Sequence, residues 1–319
     1  MYGKQESAFS YFIGEPWKYR HFGLFFLRFS QAMHEKTNGV FDLVYSKWSA
    51  LVRPPVQLAK SALLDEKAIQ NASQTLAQDG CVVLPWGLSQ DMLEEIRQFA
   101  YSTPAYGMSN QLPMHSVSPG CFPAGEGRFH WSMNDLLQLK SVQTLLSDSM
   151  MFQIAQNYLG ARPVLTSVTL WMDVPIDGIF SPHVYHYDND GPGFLKFFFY
   201  ITDVTEATGA HRFVKGSQGR RKPARLAASQ RFTDKEVLDV FGQDREIVFE
   251  APAGTIIAED TEGFHRGSSV QHDHRLLMQI QFSLVDIPHV EEFSRGVEKI
   301  SLPLPSEGQG KIAHKFVRK

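Results

Sequence analysis

The sequence predicts a mainly β protein in which helices come first and flank a core of strands. Up to about residue 159, apolar side chains recur at helical spacing between capping and stop residues. From Pro163 onward the pattern changes to period two, in short runs separated by Gly, Pro and Asp turn signals. Helices followed by many short strands imply an all-β core with a helical outer layer. The length of 319 residues is large for one domain, yet barrels with added helices reach it.

Residues 1–57 form an N-terminal extension with interleaved basic and aromatic side chains, among them Lys18, Arg20, Arg28, Lys36 and Lys47 with Trp17, Tyr19, Phe22, Phe25 and Phe29. Such a mixture suits a membrane surface or a partner. The apolar residues are not confined to one face, which favours a helical extension packed on the core or at an oligomer contact. Arg53-Pro54-Pro55 punctuates the chain before the main domain, 58–319.

A helix is expected over Leu58 to Gln78, stopped by Asp79-Gly80, then a strand Cys81 to Leu84. Ser89 is a suitable N-cap for the next helix. Residues 103–127 read as a long loop and a candidate lid. Two helices follow, near 134–147 and 149–159. Strands are expected at Val164 to Met172, Leu195 to Ile201, Arg245 to Glu250, Thr255 to Ala258 and Leu276 to Leu284.

Composition narrows the chemistry. Net charge is −3, which argues against a general nucleic-acid binder. Two cysteines cannot build a disulfide scaffold, a Cys-rich zinc site or an iron–sulfur cluster. Any metal must therefore be held mainly by the twelve histidines and by carboxylates. No secretory signal or membrane-spanning run is apparent, so the expectation is a cytoplasmic protein without a transmembrane segment. Oligomeric state is left between monomer and homodimer.

One constellation stands out. In an extended chain, His186 and Asp188 point to the same side while Tyr187 points away. Gly263-Phe264-His265-Arg266-Gly267 supplies a second imidazole, and Arg275 follows. Two His and one carboxylate on one face of an octahedron form the facial triad of non-haem Fe(II) oxygenases. A guanidinium suits a dicarboxylic co-substrate, because its planar fork binds carboxylates bidentately.

From about Leu76 to Pro288 the chain resembles the phytanoyl-CoA dioxygenase family of Fe(II)/2-oxoglutarate-dependent oxygenases. The resemblance rests on Leu76 to Leu84, on His186-Tyr187-Asp188, on Phe197 to Val204 with Val214-Lys215-Gly216-Ser217-Gln218, and on Pro252-Ala253-Gly254-Thr255 with His265-Arg266-Gly267 and Arg275. Lys215 and Gln218 replace the usual Pro and His. The resemblance implies a double-stranded β-helix, or jelly roll, with Fe(II) held by His186, Asp188 and His265 and 2-oxoglutarate bound by Arg275. It also implies O₂ as co-substrate, release of succinate and CO₂, and hydroxylation of a small-molecule or biosynthetic substrate. Related halogenases lack the carboxylate, so Asp188 argues for hydroxylation. Residues 1–57 lie outside the resemblance.

Strand alternation extends the site. If Arg275 faces the interior, so do Leu277, Gln279 and Gln281, while Leu276, Met278, Ile280 and Phe282 face outward; a slip at a bulge would instead turn the glutamines to solvent. Ser167, Thr169 and Trp171 are candidates for the pocket side. Trp171, Lys196, Gln279, Gln281 and Arg128 are the candidate substrate residues, and His130 and Trp131 are placed near the site by position. The run Arg212, Lys215, Arg220, Arg221, Lys222, Arg225 could receive an anionic handle on the substrate or be a solvated loop. His183, His211, His272 and His274 are expected outside the site, the last two in a solvated turn and His211 on the surface. Asp260 and Glu262 are expected as loop or supporting residues. Three alternatives remain: the same iron site driving desaturation, cyclisation or rearrangement; a non-catalytic cupin-like metal- or ligand-binding jelly roll; and zinc hydrolysis.

Overall fold

A computed structural model describes residues 22–107, 114–176, 183–219, 222–226 and 231–285. Arg220, Arg221, Trp17 and Tyr19, named above, lie outside the described residues.

Two antiparallel sheets carry the core. The larger has strand order β1-β7-β4-β9-β3-β2, from β1 (Cys81–Val83), β2 (Arg128–His130), β3 (Val164–Asp173), β4 (Phe194–Tyr200), β7 (Ile256–Glu259) and β9 (Arg275–Ser283). The smaller runs β6-β5-β8, from β5 (His211–Val214), β6 (Glu246–Phe249) and β8 (His265–Gly267). This is a jelly-roll core with helices on its outer face.

The period-two expectation is met along β9. Leu276, Met278, Ile280 and Phe282 join Leu170, Met172, Phe197 and Phe199 in one apolar cluster with helical residues such as Leu93, Ile96 and Ile154. Phe152 meets Phe282 edge to face at 6.0 Å. On the opposite face, Leu277, Phe198 and Tyr200 pack against Phe213 and Phe249 of the smaller sheet. Burying such aromatic and aliphatic side chains contributes roughly 1.5–3 kcal/mol each. The slip that would have turned the glutamines outward does not occur. A register shift does lie on β3 between Leu165 and Ser167, and beyond it Ser167, Thr169, Trp171 and Asp173 stand opposite Gln281, Gln279, Leu277 and Arg275.

The helical layer differs from expectation at its boundaries. The helix expected from Leu58 is shorter: α3 (Glu66–Asp79) starts after Asp65, whose carboxylate caps the Ala68 amide. Competition between local backbone bonding and helix explains this, because an Asp at that position offers the first free amides an acceptor. Ser89 caps α4 (Gln90–Ser102) as expected. The stretch 134–147 divides into α5 (Met133–Leu136) and α6 (Lys140–Ser147), and α7 is Met150–Leu159. A helix not foreseen, α8 (Asp234–Phe241), begins with a capping box between Thr233 and Glu236.

Within the N-terminal extension, α1 (Phe22–Thr37) and α2 (Val40–Val52) form a hairpin. Leu27 packs on Val285, and Tyr45 and Ala50 pack against Leu159 and Leu284. Val44, Trp48 and Leu51 face outward. No helix of the described residues is long and apolar enough to cross a membrane.

Candidate metal centre

His186, Asp188 and His265 converge at one end of the interior. Each offers a ligand atom, and these atoms lie within 4.8 Å of one another. Backbone pairing brings them together: His186 and His265 exchange both amide-to-carbonyl bonds, at 3.0 and 2.9 Å, and the Asp188 amide donates to Thr261 O at 2.7 Å. The extended geometry turns Tyr187 the other way, where its ring meets Phe264 edge to face.

The imidazoles are oriented for ligation. His186 Nδ1 lies 2.9 Å from Val184 O, and His265 Nδ1 lies 2.9 Å from Gly263 O. A carbonyl only accepts, so each Nδ1 carries the proton and each Nε2 keeps its lone pair. Those Nε2 atoms face Asp188, at 4.0 Å from Oδ1 for His186 and 3.6 Å from Oδ2 for His265. Burial, with the neighbouring His265 ring, holds His186 down to about 3, so it is neutral at physiological pH. Burial likewise lowers His265. Asp188 is the reverse: burial opposes its charge, but the Lys196 ammonium bonded to it holds its carboxyl well below the usual range. Two neutral imidazoles and one carboxylate make a donor set suited to a divalent transition metal.

The approach of the strands depends on Gly263. A Cβ there would meet the Phe213 ring at 2.3 Å. Ser217, in the Gly216-Ser217-Gln218 segment singled out above, accepts the Phe264 amide at 2.7 Å and donates to Val214 O at 2.6 Å. It thereby fixes the backbone immediately before His265.

Beyond His186, Asp188 and His265, the inward face of the large sheet is unusually polar. Ser167 Oγ, Thr169 Oγ1, both amide atoms of Gln281 and Nε of Arg275 are buried without a hydrogen-bond partner. Orphaned donors and acceptors inside a protein cost about 1–3 kcal/mol each, so a set of them on one face marks a place for a polar ligand. Gln279 shares this face and is partly exposed.

Arg275 is buried and already engaged. It donates to Gly209 O and, through Nη2, to Asp173 Oδ2 at 2.6 Å. Asp173 Oδ1 accepts from Arg128 Nε at 2.6 Å, and the Arg128 guanidinium lies 5.1 Å from the Trp171 ring centroid. Two guanidiniums around one carboxylate leave a net charge of +1 (2 − 1), which suits one further carboxylate.

Several expectations need correction. Lys196, a candidate substrate residue, is turned to Asp188 and Asp190, at 2.6 and 2.8 Å. His211 is not on the surface: its Nε2 lies 2.9 Å from both oxygens of the fully buried Glu259, and its ring is 5.6 Å from that of His265. It belongs to strand β5. His274 is buried rather than solvated, between the Tyr101 hydroxyl at 2.8 Å and Asp273 at 2.7 Å. Trp131 belongs to the helical-side core and donates to Thr103 O, whereas His130 stands opposite Trp171 on the inward face. Of the basic run, Arg212 pairs with Glu206 and Glu246, Lys215 lies 3.8 Å from Asp79, and Lys222 is buried. Asp173 escaped the sequence reading although the alternation Ser167, Thr169, Trp171 reaches it in one more step.

The hairpin α1–α2 touches the same region. Gln31 Nε2 donates to Asn189 O at 2.6 Å, and Asn189 Nδ2 donates back to Gln31 O at 3.2 Å. The loop that follows Asp188 is thus anchored by the N-terminal helices.

No family model matches the sequence, and no curated protein matches it. Solved structures do resemble the fold. The non-heme alpha ketoglutarate dependent epimerase SnoN from nogalamycin biosynthesis is 16% identical, with 76% of this chain and 97% of that chain covered and a TM-score of 0.51. EctD from S. alaskensis with bound Fe is 14% identical, with 79% and 93% covered and a TM-score of 0.53. A further EctD structure, with 2-oxoglutarate and 5-hydroxyectoine, is 13% identical at a TM-score of 0.50, with 79% and 97% covered. At these identities the likeness establishes the jelly-roll fold.

Proposed function

We propose that this chain is a non-haem Fe(II)/2-oxoglutarate-dependent dioxygenase that hydroxylates a small molecule, of the phytanoyl-CoA dioxygenase type. The observation that carries the reading is the pair of imidazoles fixed through Nδ1 with both Nε2 atoms turned to Asp188. His186, Asp188 and His265 would hold the metal. Its chemistry, with O₂ and 2-oxoglutarate, is the oxidation of a substrate C–H bond coupled to decarboxylation of the co-substrate.

The remaining residues bind and orient. Arg275 supplies a fixed positive charge for the distal carboxylate of 2-oxoglutarate, with Arg128 adding charge and Asp173 keeping both guanidiniums in place. Ser167, Thr169 and Gln281 offer hydrogen-bond partners along the same wall. Gln279 and Trp171 line the partly exposed side, where a substrate would enter. Lys196 holds Asp188 rather than the substrate.

An epimerase has this fold among the similar structures. An epimerisation or other rearrangement at the same iron is therefore the second reading, because the position of the substrate hydrogens decides the outcome. Anaerobic addition of Fe(II) and 2-oxoglutarate tests the shared chemistry. A visible charge-transfer band should appear, vanish in His186→Ala, and be followed by succinate release under O₂. Absence of both band and succinate would refute the oxygenase reading.

A further inference from the structure

A second set of potential ligands lies buried outside the iron site. His34 of α1, Asp42 of α2 and Glu262 of the turn between β7 and β8 bring ligand atoms within 4.8 Å of one another. His34 Nδ1 is bonded to Asp42 Oδ2. The other oxygen, Asp42 Oδ1, is buried without a partner. Glu262 is 7% exposed, and among the described residues its carboxylate makes no hydrogen bond. A buried carboxylate aimed at a His–Asp pair without a donor of its own is costly unless something else satisfies it.

Charge counting points to what that is. Asp42, Glu262 and Asp260 are buried carboxylates, and the buried ammonium of Lys222 is the cation facing all three. Lys222 Nζ itself contacts Gly219 O at 3.3 Å and the Tyr187 ring at 4.4 Å, not a carboxylate. Asp260 accepts from the Tyr158 hydroxyl at 2.5 Å and from the Glu262 amide at 3.0 Å. Three negative charges against one positive leave a deficit of two (3 − 1). Protons can fill part of it: burial and the nearby Asp260 push Glu262 up to about 7, and the bond to Asp42 contributes to a raised His34. One divalent cation fills it completely, with His34 neutral.

We propose that His34, Asp42 and Glu262 form a structural site for a divalent transition cation of the zinc type, separate from the iron centre. One imidazole and two carboxylates are a donor set zinc accepts. Bound there, the cation joins both helices of the N-terminal hairpin to the turn that delivers His265. It would compete with the protons that otherwise neutralise the site, so binding releases protons.

The test uses the full chain and Zn(II) alone. His186→Ala with His265→Ala removes two of the three iron ligands. Equilibrium dialysis at pH 7.5 should then still find one equivalent of Zn(II), against two in the parent. Adding Glu262→Gln to that background should abolish the remaining equivalent. Glu262→Gln keeps the side chain's shape and removes one charge from a cluster already short of cations, so its Tm without zinc should not fall below its background, and zinc should raise Tm only where Glu262 is present. If the parent binds one equivalent and the iron-ligand variant none, protons alone fill the cluster and the proposal is overturned, with the iron reading untouched. Retention of zinc by Glu262→Gln would also overturn it.

Discussion

Lys196 Nζ lies 2.6 Å from Asp188 Oδ2 and 2.8 Å from Asp190 Oδ2, so one buried ammonium orders the carboxylate that faces both imidazoles. Asp188 keeps a quarter of its side-chain surface exposed, which tempers the cost of losing that partner. Lys196→Met should destabilise the apoprotein by about 2 kcal/mol and weaken Fe(II) binding roughly 10–100-fold. Urea unfolding and metal titration read the two effects. Unchanged iron affinity would mean that the pair does not orient Asp188.

Gln281 presents both amide atoms to a buried space without a partner. Replacing such a group by an apolar one removes a desolvation cost. Gln281→Leu should therefore be as stable as the parent or more stable, by up to about 1 kcal/mol. The same change should weaken 2-oxoglutarate or substrate binding, seen as a raised KM. A large loss of stability with unchanged KM would place the amide in the structure rather than the binding wall.

Asp173 has its carboxyl held down to about 2 from an ordinary 3.8; burial opposes its ionisation, but the Arg128 and Arg275 guanidiniums outweigh it. A depressed carboxylate contributes stability that is present above its unfolded value and lost as pH falls from about 4 through about 2. The shift corresponds to roughly 2 kcal/mol. Asp173→Asn should be less stable than the parent at pH 7 by at least that amount, and the gap should narrow below pH 4. Parallel unfolding curves at pH 7 and pH 3 check this; a gap independent of pH would contradict it.

Gly263→Ala drives a methyl into the buried Phe213 ring. Overpacking of this kind costs about 1–3 kcal/mol. The backbone there is not in the left-handed region, so the penalty is steric and can be relieved. Gly263→Ala should lose stability and iron affinity together, and Gly263→Ala with Phe213→Leu should regain part of both. Failure of the double variant to recover would point to the backbone rather than to the ring.

Much of the frame was legible in the sequence because it follows from local periodicity. Alternation along β9 separates Leu276, Met278, Ile280 and Phe282 from Arg275, Leu277, Gln279 and Gln281, and the sheet keeps that division. The spacing of His186 and Asp188 places both on one side of an extended segment, and the chain beyond folds back so that His265 joins them. Boundaries set by competition were less legible. The Asp65 cap delays the start of α3 to Glu66, and the Thr233–Glu236 capping box opens a helix of only eight residues among the strands.

Partnerships across elements were decided by the tertiary structure alone. Asp173 meets Arg275 because β3 pairs with β9 in one particular register, and a shift of one residue would turn every one of these side chains to the other face. His211 is half-buried and paired because β5 lies between β6 and β8 and delivers it to Glu259. Lys196 reaches Asp188, and His34 reaches Asp42 and Glu262, through distances no spacing rule contains. By itself the sequence determined which side chains are able to carry chemistry and, along β9, which face of the strand they occupy, since both are properties of residue type and a two-residue period. Only the fold decided which charges neutralise one another, because that depends on register and closure, where a few ångströms separate a paired charge from a free one.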